Sequence, residues 1–190
     1  EVQHATTVEG YWPPLMKVRL VAGDPAFRQA HIAHLTDHNG PVLDIFPMEY
    51  VPRPDGLRLR LQSAWIRLLR GALTQGFHTR PASRITEKVM RALGTVAPSR
   101  LLHHMLERAF RLHGDAERPW LATLASYRPL ACQVLPATAY SPAATAIFEG
   151  HPMPVPHDAH QVLTTNYGDY LTPPPEHERV EQHEFERRPE

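Results

Sequence analysis

The sequence predicts an α+β fold, a small mixed sheet with several helices packed over it. Three observations predict it. Residues 14–21 (Pro-Leu-Met-Lys-Val-Arg-Leu-Val) alternate with period two, residues 42–46 form a short apolar run, and residues 57–112 carry apolar side chains at helical spacing in three successive stretches. A length of 190 residues suits one domain with a sizeable core, expected over residues 1–180, followed by a charged tail at 181–190.

Each element has a local cause. In the strand at 14–21, Lys17 and Arg19 share one face, while Met16, Val18 and Leu20 share the other. Gly23-Asp24-Pro25 makes a turn, with Asp24 as N-cap and Pro25 as first residue of a helix expected to reach Asp37. Asn39-Gly40-Pro41 ends it, and Val42 to Phe46 is a strand with Asp44 at its centre and Pro47 closing it. After a loop at Pro52–Gly56, Leu61, Trp65, Leu68 and Ala72 predict a helix over Leu57–Leu73. Ser83 starts a second helix, expected to stop at Gly94, and Ser99 caps a third through Leu112. Residues 120–127 show no clear period, while 130–135 and 146–149 read as short strands. Phe148-Glu149-Gly150-His151 followed by Val155-Pro156 predicts a tight hairpin, and Asp158 caps a last helix through Leu163. The prolines at 173–175 are extended.

Composition narrows the partners. The net charge is zero, which gives no reason to expect a nucleic acid. The charge is unevenly spread: residues 53–111 hold twelve Arg/Lys against three Asp/Glu, and residues 112–190 hold five against eleven. The basic middle presents either a set of solvated helix faces or a surface for an anionic membrane or polyanionic glycan. Cys132 is the only cysteine, which excludes an intrachain disulfide and a cysteine-rich zinc site; among Leu130, Ala131 and Val134 it reads as a buried, inert thiol. No run approaches the length of a transmembrane helix, no signal peptide is visible, and the chain is expected to lie in the cytoplasm, in peripheral contact at most with the inner face of the membrane.

Two groups of residues could carry chemistry. Asp44 stands among apolar neighbours, where a carboxylate needs a metal, a cation or hydrogen bonds. Lys17 and Arg19 would suit a diphosphate, the lysine as a point charge and the arginine as a fork, or be ordinary charges on an edge strand. In Tyr167-Gly168-Asp169-Tyr170 the rings of Tyr167 and Tyr170 could take a sugar, a base or a quaternary ammonium, and Asp169 could anchor the turn or touch substrate. The same residues also suit a helix terminus pinned by prolines. The histidines, including the pair His157/His160, lack a completing set at metal spacing, and no P-loop or Gly-x-Ser-x-Gly elbow is present.

The segments Val42-Leu43-Asp44-Ile45-Phe46-Pro47, Phe148-Glu149-Gly150-His151, Val155-Pro156, Tyr167-Gly168-Asp169-Tyr170, Pro173-Pro174-Pro175 and Arg179 together resemble the LicD family, which includes fukutin-type proteins. The resemblance implies an incomplete nucleotidyltransferase-like domain whose chain begins after the family's Asp-rich metal motif. It implies a phosphotransferase that moves a phospho-alcohol such as phosphocholine from a CDP-activated donor to a cell-surface glycan. Asp44 would be the catalytic, metal-holding acid for a divalent ion, magnesium. Lys17, Arg19, Tyr167, Asp169 and Tyr170 would contact the donor or acceptor. One substrate would need both groups around it, so the Tyr167–Tyr170 turn is expected near Asp44. Two alternatives stand beside it: a non-catalytic nucleotide- or glycan-binding module, and a nucleotidyltransferase that moves the nucleotide itself.

Overall fold

A computed structural model of the protein describes residues 2–3, 16–19, 27–29, 42–74, 83–114, 116–126, 128–179 and 185–187. Its described elements, in chain order, are β1 (Val2–Gln3), β2 (Met16–Arg19), β3 (Phe27–Gln29), β4 (Val42–Ile45), β5 (Glu49–Val51), α1 (Leu57–Leu73), α2 (Arg84–Val96) and α3 (Ser99–Phe110). There follow β6 (Trp120–Ala122), β7 (Val134–Pro136), β8 (Ala144–Phe148), β9 (His151–Val155), α4 (Ala159–Tyr167) and β10 (Phe185–Arg187). The α+β class holds. The strands form four small sheets rather than one, and every described pairing is antiparallel, so the expected mixed sheet is replaced by separate antiparallel ones. The chain divides into two compact units, Glu1–Ile45 with Thr172–Glu190, and Phe46–Leu171.

In the first unit β2 lies between β1 and β4. The register sets Met16 opposite Ile45, Lys17 opposite Asp44, Val18 opposite Leu43 and Arg19 opposite Val42. β3 falls inside the stretch expected to be helical from Asp24 to Asp37; it is instead a strand paired with β10, which lies in the expected tail. A backbone partner more than a hundred residues away overrides the local cap signal there. The rest of that expected helix lies outside the described residues.

In the second unit β5, β6 and β7 form a three-stranded sheet that shares a core with α1 and α3, and α2 packs on α1. The core holds Val51, Leu59, Ile66, Leu69, Leu102, Leu106, Ala122 and Val134. Inward positions on α1 recur at Leu59, Gln62, Ile66 and Leu69, the spacing of one helix face. Ser83 caps α2 as expected, its Oγ accepting from Thr86 N–H at 3.2 Å. Gly94 does not stop that helix, which continues to Val96. A Cβ at Gly94 would lie 2.2 Å from the carbonyl oxygen of Ala72, so the glycine is there to let α2 approach α1. Pro98, not Ser99, takes the cap position of α3.

The expected strand at 130–135 is a 3₁₀ turn at Leu130–Cys132 followed by β7. Cys132 is half-buried rather than fully enclosed. β8 and β9 form the expected hairpin, with Ala144 opposite Val155 and Phe148 opposite His151. Positive φ at both Glu149 (49°) and Gly150 (82°) marks its turn as type I′, the two-residue form that matches strand twist. Asp158 caps α4, accepting from Gln161 N–H at 2.8 Å. Among the described residues, no helix is long and apolar enough to cross a membrane.

Candidate functional site

In the first unit, strand pairing brings Lys17 and Asp44 together. Lys17 Nζ is 3.2 Å from Asp44 Oδ1, with the side chains 19% and 35% exposed. The acid therefore has the cation that its position called for. Its apolar surroundings are not as expected, because Leu43 and Ile45 are themselves exposed. A partly solvated cross-strand pair of this kind contributes about 0.2–1 kcal/mol. It does little for stability and leaves both groups near solvent. Arg19 stands opposite Val42, two strand positions beyond the pair.

In the second unit, the end of α4 gathers the aromatic residues. Gly168 has φ 71°, and its N–H donates to Thr164 O at 2.8 Å, closing the helix. Tyr170 N–H then donates to Gly168 O at 2.9 Å, turning the chain back with Asp169 between. The Tyr170 hydroxyl shares a 3.0 Å hydrogen bond with His160 Nδ1, and the two rings lie 5.7 Å apart at a tilt. The Arg128 guanidinium sits 4.4 Å over the exposed Tyr167 ring and donates to the carbonyl of Asn166. One face of Tyr167 thus already holds a cation, as the aromatic quadrupole favours. The sequence anticipated the affinity of this ring for cations but not its intramolecular occupant.

Lys17, Arg19 and Asp44 belong to one unit, and Tyr167, Asp169 and Tyr170 to the other.

A third constellation went unread in the sequence. Glu49 is buried on β5, on the same face as Val51. Its Oε1 accepts from the backbone N–H of His113 at 2.7 Å, and its Oε2 from Gln62 Nε2 at 2.5 Å. Gln62 Nε2 also donates to Ala109 O at 2.7 Å, and Gln62 Oε1 lies 3.1 Å from His113 Nε2. An amide oxygen only accepts, so His113 carries its proton on Nε2. Burial pushes the Glu49 carboxyl above its ordinary range, opposed by its hydrogen bonds to His113 and Gln62 and by the charge of Arg58. Burial, then Arg58 and Arg118, holds the His113 imidazole below its ordinary range. One signal was available: Gln62 falls on the inward row of α1 between Leu59 and Ile66, so it had to find polar partners inside.

Among the described residues, no three His, Cys, Asp or Glu side chains gather around a point where a metal ion could sit. Asp44 offers one carboxylate, already against an ammonium. The described residues do not by themselves fit a divalent ion. Compared with family models, curated proteins and solved structures, the chain matches none.

Proposed function

We propose that the protein is a phosphotransferase of the LicD type, moving a phospho-alcohol such as phosphocholine from a CDP-activated donor to a hydroxyl of a cell-surface glycan. The observation that carries it is the Lys17–Asp44 pair, a cation and a carboxylate held face to face by strand register and still open to solvent. A second feature supports it. The residues of the downstream resemblance, from Phe148 to Tyr170, form one continuous hairpin–helix–turn unit, β8-β9-α4, rather than scattered loops.

The chemistry is displacement at phosphorus. The glycan hydroxyl oxygen forms a bond to the phosphorus that bears the alcohol. The bond from that phosphorus to the bridging oxygen breaks, CMP leaves with the electron pair, and the hydroxyl gives up its proton. Lys17 would hold the donor diphosphate as a point charge, with Arg19 on the same strand as a second cation. Asp44 would keep the ammonium in place before donor binds. Tyr170, Asp169 and Tyr167 would contact the organic groups of donor or acceptor. Magnesium is proposed only as an ion arriving with the donor diphosphate. With a CDP-activated donor we infer a reaction in the cytoplasm, in peripheral contact at most with the inner face of the membrane.

The test is to incubate the protein with CDP-choline, magnesium and a glycan acceptor and to identify the products by phosphorus NMR. CMP and phosphocholine on the acceptor are expected. Lys17→Ala should lower turnover at least about 100-fold, the usual scale for an electrostatic group at a phosphoryl centre, and Asp44→Asn should lower it less, acting through Lys17. Turnover that survives chelation by EDTA would remove the magnesium. Nucleotide found on the acceptor would make the protein a nucleotidyltransferase. Binding of CDP-choline with no turnover would make it a nucleotide-binding module.

A further inference from the structure

Two helices of the second unit carry apolar rows that the core does not use. On α1, Leu57, Leu61 and Trp65 recur at every fourth position, on the side away from the buried Leu59, Ile66 and Leu69. Leu57 is 72% exposed. On α2, Ile85, Val89 and Val96 share one row, with Ile85 at 75% and Val96 at 84% exposure.

The crossing of the helices orients both rows. The α1 row continues through Leu68 to Ala72, and there α2 covers it: a Cβ at Gly71 would strike Met90, and one at Gly94 would strike Ala72. The helices therefore touch through the Met90–Gly94 side of α2. The row of Ile85, Val89 and Val96 lies on the other side of α2, facing away from α1. Both open rows look outward, away from the core.

Cations flank them. α1 has no acidic residue, and its Arg58, Arg60 and Arg67 are exposed. On α2, Lys88 borders the apolar row and Arg84 precedes its first member; the single acid of the two helices, Glu87, is paired at 2.9 Å with Arg91, farther round the helix. Apolar rows edged by arginine and lysine, with a tryptophan at the margin, have the composition of helices that lie in a lipid interface. The rows enter the acyl boundary, and the long cationic stems reach anionic headgroups. A protein partner with an apolar groove would not need the one-signed flanks.

We propose that the outer faces of α1 and α2 dock the protein on an anionic lipid surface. The observations behind this docking are independent of the Lys17–Asp44 pair and of the proposed transfer.

The full chain is to be sedimented with vesicles of phosphatidylcholine alone and of phosphatidylcholine mixed with phosphatidylglycerol. Binding is expected to the mixed vesicles only, and to weaken as salt is raised. Lys88→Ala or Arg84→Ala should each lower the partition coefficient about fivefold, the scale for one cation at such a surface. The double variant I85E/V96E should lower it at least about tenfold, since two acids would face the interface. These side chains are exposed, so the variants should fold, which circular dichroism checks. CDP-choline turnover on a soluble acceptor should be unchanged in I85E/V96E, which keeps docking separate from chemistry. Equal binding to neutral vesicles, no binding at all, or binding indifferent to I85E/V96E would overturn the proposal. So would a dimer in light scattering that I85E/V96E disperses, because the rows would then belong to a second copy of the chain.

Discussion

At the scale of residues, the Gln62 side chain is tied at three points. Its amide donates to Glu49 and to Ala109 O and accepts from His113, so one group joins β5, α1 and the segment after α3. Replacing it by leucine keeps the volume but strands Glu49 and His113. Gln62→Leu should cost about 1–3 kcal/mol, read from urea unfolding. The network also sets a pH dependence with two opposing slopes. His113 is held below its ordinary 6.5, so below that value the unfolded chain takes the proton first, and stability falls as pH drops through the folded value. Glu49 is held above its ordinary 4.5, so as pH rises from there the unfolded chain releases its proton first, and stability falls until the folded value is passed. The wild-type curve should therefore be compressed in the acid range. Glu49→Gln lowers stability overall, because an amide sets N–H against N–H. Its curve should nonetheless climb steadily from acid to neutral, following His113 alone. Denaturation at a series of pH values gives the shape; a Glu49→Gln curve parallel to wild type would show that the carboxyl does not titrate in this window.

At the scale of elements, the crossing of α1 and α2 rests on Gly94. An ordinary mid-helix glycine gains about 0.5–1 kcal/mol on replacement by alanine. Here the added Cβ meets backbone at 2.2 Å, so Gly94→Ala should lose about 1–3 kcal/mol instead. Thermal melts decide the sign. Ser83→Ala should cost about 1 kcal/mol through loss of the α2 cap. The same elements show what sequence reasoning reaches. α1 is legible because the apolar row Leu61, Trp65, Leu68 and Ala72 and the loop before Leu57 are local signals, although the start of that row is exposed and the buried row is Leu59, Gln62, Ile66 and Leu69. The hairpin and the cap at Asp158 are legible for the same reason. β6, β7 and the pair of β3 with β10 are three residues long, too short for a period to register, and exist through partners far along the chain. Gly94 was misread because the stop signal of a glycine and its packing role look identical in one dimension. In the candidate site, alternation put Lys17 and Arg19 on one face and the apolar run marked Asp44 as an acid in need of a partner, while the register that joins Lys17 to Asp44 comes from the fold. The Glu49–Gln62–His113 network was not legible, since it needs three segments to meet, and Glu49 and His113 are 64 positions apart.

At the scale of the whole molecule, the core cluster lies within residues 51–134, inside the second unit. A segment of residues 46–171 expressed alone should therefore keep a cooperative thermal transition and its helical circular dichroism. A non-cooperative melt would show that the core depends on chain outside it. The hairpin bears on how whole molecules meet one another. In a two-residue hairpin the pairs Phe148–His151, Ala146–Met153 and Ala144–Val155 exchange the ladder hydrogen bonds, and the residues between them turn their backbone groups outward. On β9 those outward positions are Pro152 and Pro154, which have no N–H. The β9 rim presents acceptors and no donors, so a strand from a neighbouring molecule finds only half of a ladder there, whereas Thr145 and Ile147 keep donors on the β8 rim. Exposed Ile147 and Phe148 would otherwise invite such growth. Restoring the donors with Pro152→Thr and Pro154→Thr should turn a self-limiting ribbon into a seed for intermolecular sheet, visible as rising light scattering on storage. Two imino acids thus close one of the ribbon's two edges to a neighbouring chain.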